Sequence, residues 1–170
     1  MNTPPSPPFR FTRESRIRVD RDGRVWHEGE RIDNARLAEA LASWIDLDAD
    51  TGRWVMRNSL DWCFVTVDDV PLVVRGVGFD PEGVTVALSD GSTERLRLDT
   101  LRLREDGEVF AYVRGATLLA RFSRSASFAL LDRVEECPDG PCLRLGDARI
   151  ALRIVPPGAL PPPRPVDAEA

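Results

Sequence analysis

The chain has 170 residues, 42% hydrophobic and 30% charged, with a formal net charge of −5. That length suits one domain or two small ones sharing an interface, with a core large enough to need no disulfide or metal. No apolar run approaches the ~20 residues of a membrane span. The opening MNTPPSPPFRF lacks the apolar segment of a secretory signal, and 28 acids against 23 bases disfavour a phosphate-binding face. The expectation is a cytoplasmic protein with neither membrane nor nucleic acid among its partners. All of its cations are arginines, which excludes Schiff-base chemistry, lysine bases and the P-loop. With His27 as the one imidazole, histidine-based metal sites and two-histidine relays are excluded too, and no cofactor or metal is expected.

Residues 1–14 carry Pro4, Pro5, Pro7 and Pro8, and residues 156–170 run Pro156-Pro157-Gly158-Ala159-Leu160-Pro161-Pro162-Pro163-Arg164-Pro165. Proline lacks an amide donor and favours polyproline II, so both ends read as disordered tails. Ile17 and Val19 lead through Asp22-Gly23 to Val25 and Trp26, a hairpin. Asp33 is the expected N-cap of a helix over Asn34–Ile45, whose stripe Leu37, Leu41, Trp44 and Ile45 would face the core. Strands follow at Trp54–Met56, Cys63–Val67 and Leu72–Val74, then Val84–Leu88 and Arg95–Leu98 around Asp90-Gly91.

The remainder echoes the opening. Asp106-Gly107 precedes Val109-Phe110 as Asp22-Gly23 precedes Val25-Trp26. A second helix is expected over Thr117–Glu135, with Leu118, Phe122, Ala126, Leu130 and Val134 on one face, and Ile150–Ile154 closes as a strand. Gly23 and Gly107 lie 84 positions apart, and Gly52 and Gly140 lie 88 apart. A hairpin–helix–strand–strand unit therefore reads as duplicated, with a four-residue insertion in the second copy. The fold class expected is α+β, with duplicated units on antiparallel sheets. The first repeat spans 15–100 and the second 101–155, which may borrow strands from 61–100.

Few motifs carry chemistry. Asp46-Leu47-Asp48-Ala49-Asp50-Thr51-Gly52 resembles a calcium loop, but Arg57 occupies its twelfth position, where calcium needs a bidentate carboxylate. Cys137 and Cys142 face each other across a tight turn, with Cys63 elsewhere. No second ligand pair supports zinc. Two free thiols are the default in a reducing compartment, and a redox-sensitive disulfide is the alternative. As a general base, His27 would need a carboxylate, and Glu28, Glu30, Asp68 and Asp69 are candidates. Asp68 and Asp69, as neighbours on a strand, would point to opposite faces.

Asp20–Ile32, the Leu37/Leu41 helix, Asp50-Thr51-Gly52-Arg53-Trp54-Val55 and Val67-Asp68-Asp69-Val70-Pro71-Leu72 resemble the motifs of a bacterial family of unknown function, DUF1285. Tyr112–Arg121 and Phe128–Leu131 are similar to its closing helix. The resemblance spans residues 16–155. It implies a duplicated α+β fold with a superficially pleckstrin-homology-like C-terminal part. It also implies a nucleotide-type ligand site between the repeats and a signalling role. Asn58-Ser59-Leu60-Asp61-Trp62 departs from the family pattern: the acid is retained as Asp61, but Trp62 replaces a lysine.

The reading that follows is a non-enzymatic ligand-binding or sensory module. Its small-molecule site between the repeats would be built from Trp26, His27, Asn58, Asp61, Trp62, Asp69 and Arg114. The aromatic groups would stack on a planar ligand and Arg114 would meet an anion. The alternatives are a protein-interaction module without a small ligand and a small hydrolase or transferase using His27.

Overall fold

The computed structural model describes residues 13–159. Most of both proline-rich ends, expected as disordered tails, lies outside the described residues, and Glu14, counted with the first of them, belongs to the first strand. β1 (Glu14–Val19) and β2 (Val25–His27) form the hairpin expected at Asp22-Gly23. β3 (Glu30–Arg31) adds to β2, and α1 (Ala35–Ser43) leads into β4 (Ile45–Leu47), β5 (Trp54–Arg57) and β6 (Trp62–Val67). β6 pairs parallel to β1, giving a six-stranded sheet in the order β3-β2-β1-β6-β5-β4. Strand alternation sends Val19, Val25, Met56 and Val65 to one face, where Ala38, Leu41 and Ala42 of α1 cover them. Arg18, Trp26 and Thr66 point to the other face.

The first helix is shorter than its periodicity suggests. Asn34, not Asp33, caps it by accepting the Leu37 amide at 3.1 Å, while Asp33 pairs with Arg31. The helix ends at Ser43 because Ile45 is drawn into the sheet opposite Met56, where it is fully buried. Trp44, placed by periodicity in the core stripe, caps the helix and is 36% exposed.

The second half is built on β7 (Leu72–Asp80), β8 (Gly83–Leu88), β9 (Thr93–Arg95), a 3-10 turn (Leu98–Thr100), β10 (Arg102–Arg104), β11 (Val109–Val113) and β12 (Leu118–Phe122). Then come α2 (Arg124–Leu131), β13 (Val134–Cys137), β14 (Gly140–Leu145), β15 (Ala148–Ala151) and β16 (Arg153–Val155). A seven-stranded sheet runs β16-β10-β11-β12-β7-β8-β9, and β13-β14-β15 form a separate small sheet.

Leu118–Phe122 is a strand, and only Arg124–Leu131 of the long second helix is helical, capped by Ser123 on the Ala126 amide. A central strand buried on both sides reads as a continuous apolar run, which periodicity does not separate from a helix. Ile150–Ile154 splits at Leu152 into β15 and β16, which belong to different sheets. The class is α+β, but the sheets are mixed: β1–β6, β7–β12 and β10–β16 pair in parallel.

The large core holds Val109, Ala111 and Val113 of β11 beneath Ala126 and Leu130 of α2 and Leu143 of β14. The alternate residues Phe110 and Tyr112 bury on the opposite face with Val70 and Leu119. Trp54 packs against both the large core and the core of the first sheet. No helix among the described residues is long and apolar enough to cross a membrane.

The β1–β2 turn seats on the second sheet. Gly23 has φ +70°, and a Cβ there would lie 3.0 Å from Val73 Cγ2 and 3.2 Å from Ser89 Cβ. Both the left-handed backbone and the close approach demand glycine. Gly23→Ala is therefore expected to destabilise the fold by about 1–3 kcal/mol, read from urea unfolding. A variant as stable as wild type would show that the turn does not bear on Val73.

Candidate functional site

Side chains from both halves converge in a groove between the two large sheets. Ser43, Trp44, Ile45, Asp46 and Arg57 of the first sheet and its helix end meet Arg114, Thr117 and Leu118 of the β11–β12 turn around about 290 Å³. Arg114 is the pivot. It holds φ +51°, unusual for a side-chain-bearing residue. Both oxygens of Glu94 accept its amide at 3.0 Å. Its guanidinium donates to the carbonyl of Ile45 at the start of β4 at 3.1 Å, to that of Ala42 in the last turn of α1 at 3.4 Å, and to the Asp90 carboxylate.

The Asp90 side chain is only 1% exposed. Burial pushes its carboxyl upward, but hydrogen bonds from Ser92 and Arg114 outweigh that and leave it below the usual range. Beside this buried pair the groove has open chemistry. The Trp44 indole is exposed. Arg57 stands 3.5 Å from Asp48, beyond a tight bond, and Asp46 uses one oxygen on the Leu47 amide at 2.8 Å.

The residues expected to form one site are distributed over several places. Arg114 alone lines this groove. Asn58, Asp61 and Trp62 stay together in the β5–β6 hairpin, where Asn58 Oδ1 accepts the amides of Leu60 at 2.8 Å and Asp61 at 2.9 Å. Asp61 accepts the Trp62 amide and an Arg13 guanidinium, and those two contacts hold its carboxyl low. Arg13 also stacks 4.6 Å above the Trp62 ring.

Trp26 and His27, adjacent on β2, point to opposite faces. Trp26 donates to Asp20 at 2.8 Å beneath Arg18. His27 is exposed in a groove with Ile17, Leu37 and Leu41, and its ring has no hydrogen bond among the described residues. Asp69 sits at the junction of the halves, 2.9 Å from Arg121 and 4.0 Å from Arg21.

Trp44, Arg57 and Thr117 were not among the expected site residues. Periodicity places Trp44 in the core stripe of the helix, and the sequence marks Arg57 only as the cation that disqualifies a calcium loop. A large apolar residue at the last turn of a predicted helix, rather than within it, was the available signal.

Arg114→Ala leaves Asp90 buried without its cation and is expected to cost about 3 kcal/mol. Adding Asp90→Asn should recover part of that loss, because the uncompensated charge goes; equal stabilities of the single and double variants would refute the pairing. The pH dependence has a definite sign. The folded pKa of Asp90 lies below its ordinary 3.8, so its contribution is complete above that value and lost as pH falls through the folded one. Wild type should therefore lose stability more steeply below about pH 4 than Asp90→Asn does in acid unfolding.

No family model matches the sequence, and no curated protein matches it. Solved structures do. A DUF1285 family protein from Silicibacter pomeroyi DSS-3 superposes with a TM-score of 0.67 at 20% identity, over 82% of this chain and 80% of its own. One from Shewanella baltica OS155 gives 0.60 at 17% identity, over 71% and 94%. The chain has the fold of the DUF1285 proteins, the family its sequence motifs resemble.

Proposed function

We propose that this protein is a non-enzymatic binding module that takes a small planar anion of the nucleotide type in the groove between its two large sheets and acts as a sensor. The observation that carries the reading is Trp44. A large aromatic residue at a helix end normally turns inward, yet this one is 36% exposed beside two guanidiniums. Its ring is a stacking surface, Arg57 a partner for a phosphate or carboxylate, and Asp46 an acceptor for a hydroxyl.

The recurrence of elements supports a duplicated architecture around this groove. In β1–β6 and again in β10–β16, a hairpin with an Asp-Gly turn is followed by a third strand, a helix, a second hairpin and a last strand parallel to the first, the second set inserting one further strand, β15, before its last. In this reading the first repeat ends near residue 100 and the second borrows β7–β9 to complete its sheet. Seven strands with one packed helix support the pleckstrin-homology-like description of the C-terminal part. A hydrolytic role finds less support: His27 faces an open groove, and although Glu30 lines it too, as the cross-strand partner of His27, no hydrogen bond joins the two side chains among the described residues.

The test is a thermal-shift panel of nucleotides and metabolite anions on wild type, Trp44→Ala and Arg57→Gln. A ligand at 100 times its Kd adds about 2.7 kcal/mol, roughly 5–10 °C at this length. A shift that vanishes in both variants, while their unliganded melting points stay close to wild type, supports the reading. A panel without any shift favours the interaction-module alternative, for which Leu60, 91% exposed at the β5–β6 hairpin tip, is the first contact to test.

A further inference from the structure

The β13–β14 hairpin concentrates chemistry that the groove does not use. Its register sets Glu135 directly opposite Cys142 and Cys137 opposite Gly140. Residues two apart on a strand share a face, and so do cross-strand partners. Glu135, Cys137 and Cys142 therefore project together, with one ligating atom of each within 4.8 Å of the others. Cys137 and Cys142 are joined as a disulfide, with Cα atoms 6.0 Å apart. Glu135 Oε1 accepts from Arg149, whereas Oε2 lies 3.7 Å from Arg144 Nε, beyond hydrogen-bonding reach.

We propose that this hairpin, once reduced, is a binding site for a thiophilic divalent ion such as Zn2+, held by Cys137 Sγ, Cys142 Sγ and Glu135 Oε2, and that the disulfide closes the site. Two thiolates and one carboxylate are a donor set that zinc accepts, with water completing a tetrahedron. The ion and its three anionic ligands sum to a charge of −1, which Arg149 and Arg144 offset. Opening balances as thiol–disulfide exchange. Two molecules of a monothiol of the glutathione class break the S–S bond, leaving two protein thiols and one disulfide of the reductant. Zn2+ then displaces both thiol protons to water. The hairpin carries Leu143, which is fully buried in the large core, so an ion pinning β13 to β14 stabilises the fold that surrounds it.

The experiment uses the full chain, reduced and freed of reductant, titrated with Zn2+ against a chelating indicator, and with Co2+ for its thiolate charge-transfer absorption. One ion per chain is expected, with a rise in melting temperature and protection of Cys137 and Cys142, but not Cys63, from alkylation. The oxidised chain should bind none. Glu135→Gln, which leaves both thiols in place, should weaken binding by at least roughly 10-fold, and Cys137→Ser should remove most of the charge-transfer band. The proposal is overturned if the reduced, folded chain binds no stoichiometric ion, if the oxidised chain binds equally, or if Glu135→Gln is indistinguishable from wild type. Should Cys137→Ser fail to fold by circular dichroism, the oxidised chain and Glu135→Gln decide the matter.

Discussion

A buried carboxylate sets the terms for the joint between the two halves. Asp90, at the tip of the β8–β9 hairpin, is almost wholly enclosed, and an anion there is tolerable only with a cation and hydrogen bonds around it. Arg114 supplies the cation from the β11–β12 turn. The same guanidinium then has donors left for the carbonyl of Ala42 in the last turn of α1 and for that of Ile45 at the start of β4. One side chain thereby connects a hairpin tip, a tight turn and the end of α1. The groove walled by Trp44 and Arg57 exists because those three pieces are held at that spacing.

The other side of the joint is ionic. The first Asp-Gly turn meets the second through Arg21 and Glu108, and Arg121 donates to Asp69 and to the Arg21 carbonyl. Arg104 completes the set with Asp106 and Glu108. Pairs of this kind contribute little one at a time on a surface; here they form a connected network around the fully buried Phe110, under the Arg104 guanidinium.

An all-arginine cation set suits this molecule. The open face of the first sheet stacks Arg13 on Trp62, Arg18 on Trp26 and Arg53 on Phe64, the last at 3.7 Å. Each of these arginines also pairs with an acid: Asp61, Asp68 and Glu14 respectively. A planar guanidinium can lie on a ring and still present its edge to a carboxylate, a geometry that a lysine ammonium does not reproduce. Trp26 and Trp62 are thus each covered by a neighbouring guanidinium.

Local chemistry determined much of this protein. The Asp-Gly turns at 22–23 and 106–107, the amphipathic stripe of α1 and the alternating strands of the first sheet follow from backbone preferences and periodicity that act over a few residues. The motif order that resembles DUF1285 was also legible, and the fold agrees with it. Tertiary structure decided what such signals leave open. Leu118–Phe122 became a strand because β7 and β11 pair with both its edges, while the large core takes Leu118, Ala120 and Phe122 on one face and Val70, Phe110 and Tyr112 pack with Leu119 on the other, whatever its helical spacing. Trp26 and His27 were parted by the pleat of one strand, and Trp44 was left at the groove because Ile45 took the place in the sheet. Arg114 reads in the sequence as a free anion ligand; only the fold shows it spent on Asp90, since the identity of a charge's partner depends on which distant segments the chain brings together.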